Sequence, residues 1–160
     1  TSNNTLKLYN LDLGKLNFSI NLEASSDKLM QLFMDYENLS DYLPQQLQSV
    51  KILNQENDVV TTEEIITFKT IFKNQIIQQT IHKKISNEKL QTEIISGPAK
   101  GTIVDIEFKK NNSSTIVIIE IDLKLNLKTK FLQPLIKKLY KRLLTGILYK
   151  MNTKAINNSI

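Results

Sequence analysis

The chain contains no cysteine, which excludes a disulfide framework, a thiolate nucleophile and any cysteine-ligated metal site. Histidine occurs once, at His82. Its neighbours of the same strand parity, Gln78, Thr80 and Lys84, are polar, so the ring is expected to face water. The serines then have no imidazole to activate them, and no metal constellation can be assembled. No apolar stretch follows a basic start, and none approaches the length of a bilayer span, so neither signal peptide nor transmembrane helix is expected. The expected location is cytoplasmic, with peripheral attachment to a membrane as a variant. Acidic residues are also missing after Asp122, where Lys124, Lys128, Lys130, Lys137, Lys138, Lys141, Arg142, Lys150 and Lys154 follow. The net charge of +5 is therefore gathered at one end.

What is present is organised around the last forty residues. From Phe131 to about Asn157, apolar side chains recur at three-and-four spacing through Leu135, Ile136, Leu139, Tyr140, Leu143, Ile147, Leu148 and Met151, the pattern of one buried helix face. Pro134 fits only the first turn, where its missing N–H has no partner, so the helix should begin near Leu132 or Gln133. At 1.5 Å per residue such a helix is about 35 Å long and must cover a surface.

The residues before it supply that surface. Leu16, Phe18, Ile20 and Leu22 alternate with polar residues as a half-buried strand. Ser25, Ser26 and Asp27 offer capping oxygens to a helix carrying Leu29, Met30, Phe33 and Tyr36, and a second short helix is expected over Asn38 to Leu43, ended by Pro44. Six runs then read as an antiparallel meander: Leu47 to Leu53, Asp58 to Phe68, Gln75 to Ile85, Lys89 to Ile95, Thr102 to Lys109 and Thr115 to Leu127. Turn chemistry separates them, including Lys73-Asn74 and the segment from Gly97 to Gly101. Residues 1–14 read as a polar arm and residues 15–160 as one domain. The predicted fold class is α+β, a seven-stranded antiparallel sheet curved around a long C-terminal helix, with two short helices after the first strand.

This order of elements resembles the START-like, or helix-grip, superfamily. Within it the segment from Ala24 to Val50, with Leu32-Phe33-Met34-Asp35-Tyr36-Glu37-Asn38-Leu39 and then Tyr42-Leu43-Pro44, is similar to the polyketide cyclase/dehydrase and lipid-transport family, which includes coenzyme-Q-binding proteins. The resemblance implies a pocket between long helix and sheet for a hydrophobic ligand; no cofactor is expected. Some members carry out cyclase, dehydratase or hydrolase chemistry there. The plant-allergen subgroup has a glycine-rich loop after its second strand, and Asn54-Gln55-Glu56-Asn57 has no glycine.

Polar residues that share a parity with apolar ones are the candidates for that pocket. Glu64 alternates with Thr62, Ile66 and Phe68 and would lie inside with them; a one-residue slip would put Glu63 there instead. A buried carboxylate could act as acid, base or ligand anchor. Gln79, between Ile77 and Ile81, and Thr92, between Leu90 and Ile94, could orient a polar headgroup. Apolar walls are expected from Phe33, Phe68, Val104, Ile106, Phe108, Ile119, Ile121, Leu139, Leu143 and Ile147. Gly146 would allow a close approach to the long helix, and Tyr140 could present a hydroxyl to cavity or solvent.

Three functional expectations follow. The first is a non-enzymatic carrier of a small lipid-like or isoprenoid-like molecule. The second is a cyclase or dehydratase with Glu64 as acid or base. The third is an interaction module that docks Lys137, Lys138, Lys141 and Arg142 on an anionic membrane or on ribosomal RNA; the alternative for these lysines is an ordinary solvated helix face, favoured by the helix dipole.

Overall fold

Residues 14–69 and 75–158 are described by the structure, a computed structural model. All of the expected arm except Gly14, and the Lys73-Asn74 turn, lie outside them. The strands are β1 (Lys15–Leu22), β2 (Leu47–Glu56), β3 (Val59–Ile66), β4 (Ile76–Lys84), β5 (Lys89–Ile94), β6 (Ile103–Asn111) and β7 (Ser114–Asp122). They form one seven-stranded sheet in the order β1-β7-β6-β5-β4-β3-β2. Every pairing is antiparallel. Between β1 and β2 come helix α1 (Ser26–Met34) and a 3-10 helix (Tyr36–Asp41), and helix α2 (Gln133–Asn157) closes the chain. This is the expected helix-grip architecture.

Local chemistry explains the helix ends. The Ser25 hydroxyl accepts a hydrogen bond from the Lys28 amide at 3.3 Å, satisfying a backbone donor that the first turn of α1 leaves free. The second short helix begins two residues earlier than its sequence pattern suggests and winds as a 3-10 helix, the form short connectors commonly take. In α2, Pro134 occupies the first turn.

That long helix lays Ile136, Tyr140, Leu143, Ile147, Leu148, Met151 and Ala155 on the sheet. Facing them, Phe108, Val117 and Ile119 are wholly buried. Burial of each such side chain contributes about 1.5–3 kcal/mol, and the same core continues under α1 through the Phe33–Phe108 ring contact at 5.8 Å. Asn152 Oδ1 accepts the Ala24 amide at 2.9 Å and Thr115 Oγ1 donates to the Ala24 carbonyl at 2.7 Å, pinning the start of α1 between α2 and β7.

The last strand is shorter than its alternating pattern predicts. The period continues through Leu125 and Leu127, but strand pairing with β1 ends at Lys15 opposite Asp122, followed by one more backbone bond from the Leu123 amide to the Gly14 carbonyl at 2.7 Å. Leu123 is still buried, whereas Leu127 is 90% exposed. Beyond Asp122 the chain is held by single bonds to other segments: the Lys124 amide donates to Thr102 Oγ1 at 3.0 Å, and the Asn126 amide to the Pro98 carbonyl at 3.0 Å.

Candidate functional site

One row of polar side chains lies on the inner face of β3, β4 and β5. Register produces it. Glu64 stands opposite Gln78, Thr62 opposite Thr80, and Val60 opposite His82, which in turn faces Thr92 on β5. Directly opposed residues in an antiparallel pair share a face, so these groups meet under α2. Outside, the matching row is Lys51, Glu63 and Gln79. Of the two registers open in the sequence, the structure therefore has Glu64 inside and Glu63 outside.

Two expectations are corrected here. His82 does not face water: it is buried, at 6% exposure, while Ile77 on the opposite face of β4 is 56% exposed. Gln79 shares that outer face and does not enter the cavity. The physical reason is one of pairing. Gln78, Thr80 and His82 are buried because polar partners across the strands satisfy them, which removes the desolvation penalty that a lone polar group would carry.

The hydrogen bonds close on Glu64. Thr80 donates to Glu64 Oε1 at 2.7 Å, and Gln78 Nε2 donates to Oε2 at 2.7 Å. Thr62 Oγ1 lies 2.8 Å from Thr80 Oγ1 and 3.2 Å from Glu64 Oε1. His82 Nε2 lies 2.9 Å from Thr62 Oγ1, 3.0 Å from Thr80 Oγ1 and 3.6 Å from Glu64 Oε1. Each threonine has one hydroxyl proton. With the Thr80 proton on Glu64 and the Thr62 proton on Thr80, the short contacts to Nε2 are bridged only if Nε2 carries a proton. Thr92 Oγ1 meets the other ring nitrogen, Nδ1, at 2.8 Å. Tyr36, from the 3-10 helix, stacks on the imidazole at 4.2 Å between ring centroids.

Burial works to raise the pKa of Glu64, but the adjacent His82 ring, with hydrogen bonds from Thr80 and Gln78, outweighs it and holds the carboxyl below its usual range. Glu64 is thus an anion aimed into the core. Burial, with a smaller contribution from Glu64, raises the pKa of Tyr140 well above the ordinary phenol range, so its hydroxyl stays protonated; it sits 3.5 Å from Gln78 Oε1. Burial alone pushes Tyr36 up to about 12.

Glu64, Gln78, Thr80, His82 and Tyr140 form the polar end of a cavity of about 100 Å³ between sheet and α2. Of the sequence candidates, Phe33, Glu64, Val104, Ile106, Leu143 and Ile147 line it, and Thr92 does too. Phe108, Ile119 and Ile121 are packed core instead, buried against their neighbours. Leu139 is half-buried beside the core, and Phe68 borders a separate void of about 10 Å³ near the start of α2. Sequence reasoning passed over Gln78 and Thr80 and turned His82 outward; their signal was the run of polar residues at one parity on two adjacent strands. The remaining apolar wall comes from Leu39, Leu47, Val50, Ile66, Ile94 and Leu144.

Gly146 closes the seam between the 3-10 helix region and α2. A Cβ there would lie 2.8 Å from Leu43 Cδ1, closer than two carbons pack, so glycine lets Leu43 rest on the helix backbone beside Leu143, Leu144 and Ile147. A larger depression of about 960 Å³ between α1 and the β4–β5 turn is an open surface trough with polar residues such as Asp27, Asp35, Lys84 and Lys110 on its walls, and it lacks the enclosure that ligand sites show.

Among solved structures, a protein from Thermus thermophilus matches with 13% identity and a TM-score of 0.77, over 91% of this chain and 99% of that one. The Zhui aromatase/cyclase of a Streptomyces species matches with 9% identity and a TM-score of 0.78, over 91% and 95%. A START superfamily protein from Mycobacterium smegmatis matches with 15% identity and a TM-score of 0.72, over 89% and 97%. At these identities the likeness establishes the fold. A search of curated proteins finds no match. The family model for polyketide cyclase/dehydrase and lipid transport matches residues 22–151, which takes in every group of the polar cluster and most of α2, and the chain belongs to that family.

Proposed function

We propose that the protein binds a small hydrophobic molecule, lipid-like or isoprenoid-like, with its polar head on the Glu64 cluster and its apolar body between the sheet and α2. The observation that carries this reading is the hydrogen-bonded row of Glu64, Gln78, Thr80 and His82 at one end of a cavity whose other walls are mostly apolar. A carboxylate accepts hydrogen bonds and repels anions. The head it selects is therefore a hydrogen-bond donor, a hydroxyl or an amine, and a fatty-acid carboxylate is disfavoured. A cavity near 100 Å³ accommodates a head and a few carbons; an engineered cavity of roughly 150 Å³ is enough for benzene. The rest of a longer ligand needs the seam at Leu43 and Gly146 to part.

Geraniol and geranate test this, since they share a skeleton and differ in the head. The alcohol should bind at least tenfold more tightly by calorimetry, and Glu64→Gln should shrink that preference. Equal or tighter binding of the carboxylate by the unaltered protein would remove the reading.

The Glu64–His82 pair also motivates a second reading, a cyclase- or dehydratase-type enzyme. Held below the usual range, Glu64 would serve as a base rather than an acid. A general base works best with a pKa near the working pH, so a depressed carboxylate favours the binding reading over the catalytic one.

A further inference from the structure

The segment joining β7 to α2 presents apolar side chains to solvent. Leu127 is 90% exposed, Phe131 78% and Leu135 43%. They are spaced four residues apart, with Phe131 on a short 3-10 helix (Lys130–Leu132) that runs into α2. The turn that presents them is built from hydrogen bonds: the Thr129 amide donates to Asn126 Oδ1 at 3.0 Å and to the Asn126 carbonyl at 3.1 Å, Thr129 Oγ1 donates to Asn126 Oδ1 at 2.6 Å, and the Leu132 amide donates to the Thr129 carbonyl at 2.9 Å. The backbone is satisfied inward while the hydrocarbon points outward. Single exposed leucines are ordinary on protein surfaces, but a leucine and a phenylalanine this exposed on one ordered tip are not.

Charge identifies the partner. Lys128, Lys130 and Lys138 are exposed around the tip, as is Lys124, whose Nζ lies 3.8 Å from Asp122. No acidic residue follows Asp122 in the sequence. Of the helix cations expected to meet an anionic surface, Lys141 is directed elsewhere, its Nζ 5.3 Å from the centre of the Phe18 ring. The cationic surface with apolar side chains at its centre is thus the tip before α2 and not the middle of that helix.

We propose that the tip formed by Leu127, Phe131 and Leu135, with Lys124, Lys128, Lys130 and Lys138, docks on an anionic lipid bilayer, inserting its apolar side chains among the acyl chains while the lysines sit at the headgroups. Hydrocarbon burial and headgroup charge together are what reversible attachment needs. A polyanion such as RNA would use the lysines but gives the exposed leucine nothing to enter. Behind the tip, the small void beside Leu125 and Ile136 shares Tyr140 with the main cavity, so docking turns that end of the cavity toward the bilayer. The docking itself does not depend on what the cavity holds.

Sedimentation of the full chain with vesicles tests it, using phosphatidylcholine alone and phosphatidylcholine with about one third phosphatidylserine. Only the anionic vesicles should carry the protein down, and raising sodium chloride to about 0.5 M should release it. Each lysine near such a surface is worth about fivefold in partitioning, so Lys128→Glu with Lys130→Glu should weaken binding by more than tenfold. Leu127→Ser with Phe131→Ser should also lose at least tenfold. All four positions are exposed, and circular dichroism will show the variants folded. In a Phe131→Trp variant, emission should shift to the blue on anionic vesicles and be quenched by brominated acyl chains. The proposal is overturned if vesicles carry no protein down, if neutral vesicles bind as well, or if the serine variant binds like the unaltered chain. It is also overturned if polyuridylate binds the chain but the vesicles do not, or if Phe131 proves to sit in a dimer interface by sedimentation equilibrium.

Discussion

Tyr36 lies flat on His82, with ring centroids 4.2 Å apart and 20° between the planes. The tyrosine comes from the 3-10 helix and the histidine from β4, so the stack ties the connector that closes the cavity to the polar row on its floor. It also confines the imidazole between an aromatic face and two threonines. Tyr36→Phe preserves the stack and should cost little. Tyr36→Ala opens a void against a buried polar ring and should cost about 3–5 kcal/mol, the range for large aromatic truncations. Urea unfolding of the two variants measures the difference.

Because the chain has one histidine, nitrogen NMR reads its ring without ambiguity. If the Thr62 hydroxyl donates to Thr80, Nε2 carries the hydrogen between the two threonines, and a one-bond N–H coupling to Nε2 should be observed with slow exchange. A proton found only on Nδ1 would mean that Thr62 donates to the ring, and the assignment of protons running to Glu64 would be wrong.

Glu64 links the cluster to acid stability. Its folded pKa is depressed from the ordinary value of 4.5, so below that value the unfolded chain binds more protons than the folded one and stability rises with pH through the window. The contribution is present above about pH 4.5 and is lost as the pH falls through the folded value. Thermal melts of the unaltered protein and Glu64→Gln, taken between neutral and acid pH, should therefore converge on acidification. Parallel curves would show that Glu64 is not ionised among these donors.

Thr62→Val and Thr80→Val ask whether the hydroxyls act through Glu64. Each replaces a buried hydroxyl by a methyl group of similar shape and should cost about 1–3 kcal/mol, because the carboxylate and imidazole are left short of partners. In a Glu64→Gln background the cost of Thr80→Val should fall, since Thr80 then serves a neutral amide and no longer a charge. A double-mutant cycle reads the coupling. Additive losses would place the threonines outside the carboxylate's network.

Much of the frame was legible in the residues. Pro134 marks the first turn of α2, Ser25 caps α1, and alternation delimits the strands, because each rests on local chemistry or a period that survives packing. The polar floor of the cavity was harder to see. On β4 the apolar residues Ile77 and Ile81 take the outer face while Gln78, Thr80 and His82 go inward, which inverts the usual sorting. Only the cross-strand register brings their partners Glu64, Thr62 and Thr92 opposite them, and register is a long-range property that no single segment carries. The end of β7 is a related case: Leu125 and Leu127 keep the period, yet among the described residues the strand ends at Asp122, opposite Lys15.

The seam at Gly146 supplies the remaining prediction. Glycine inside α2 forgoes about 1 kcal/mol of helix propensity relative to alanine, and the structure places Leu43 where the missing methyl would go. Leu43 Cδ1 is the end of a flexible side chain, so Gly146→Ala is accommodated by swinging Leu43 aside instead of moving backbone. The gain in helix propensity and the loss of the Leu43 contact oppose each other, and the net change in stability should stay within about 1 kcal/mol. Access to the cavity should change more than stability does, because Leu43 rests beside the lining residues Leu143, Leu144 and Ile147. Stopped-flow uptake of a fluorescent apolar probe should be several-fold faster in Gly146→Ala and in Leu43→Ala than in the unaltered protein. If both variants take up the probe at the original rate, ligands enter elsewhere, and the Tyr140 end of the cavity becomes the route to test.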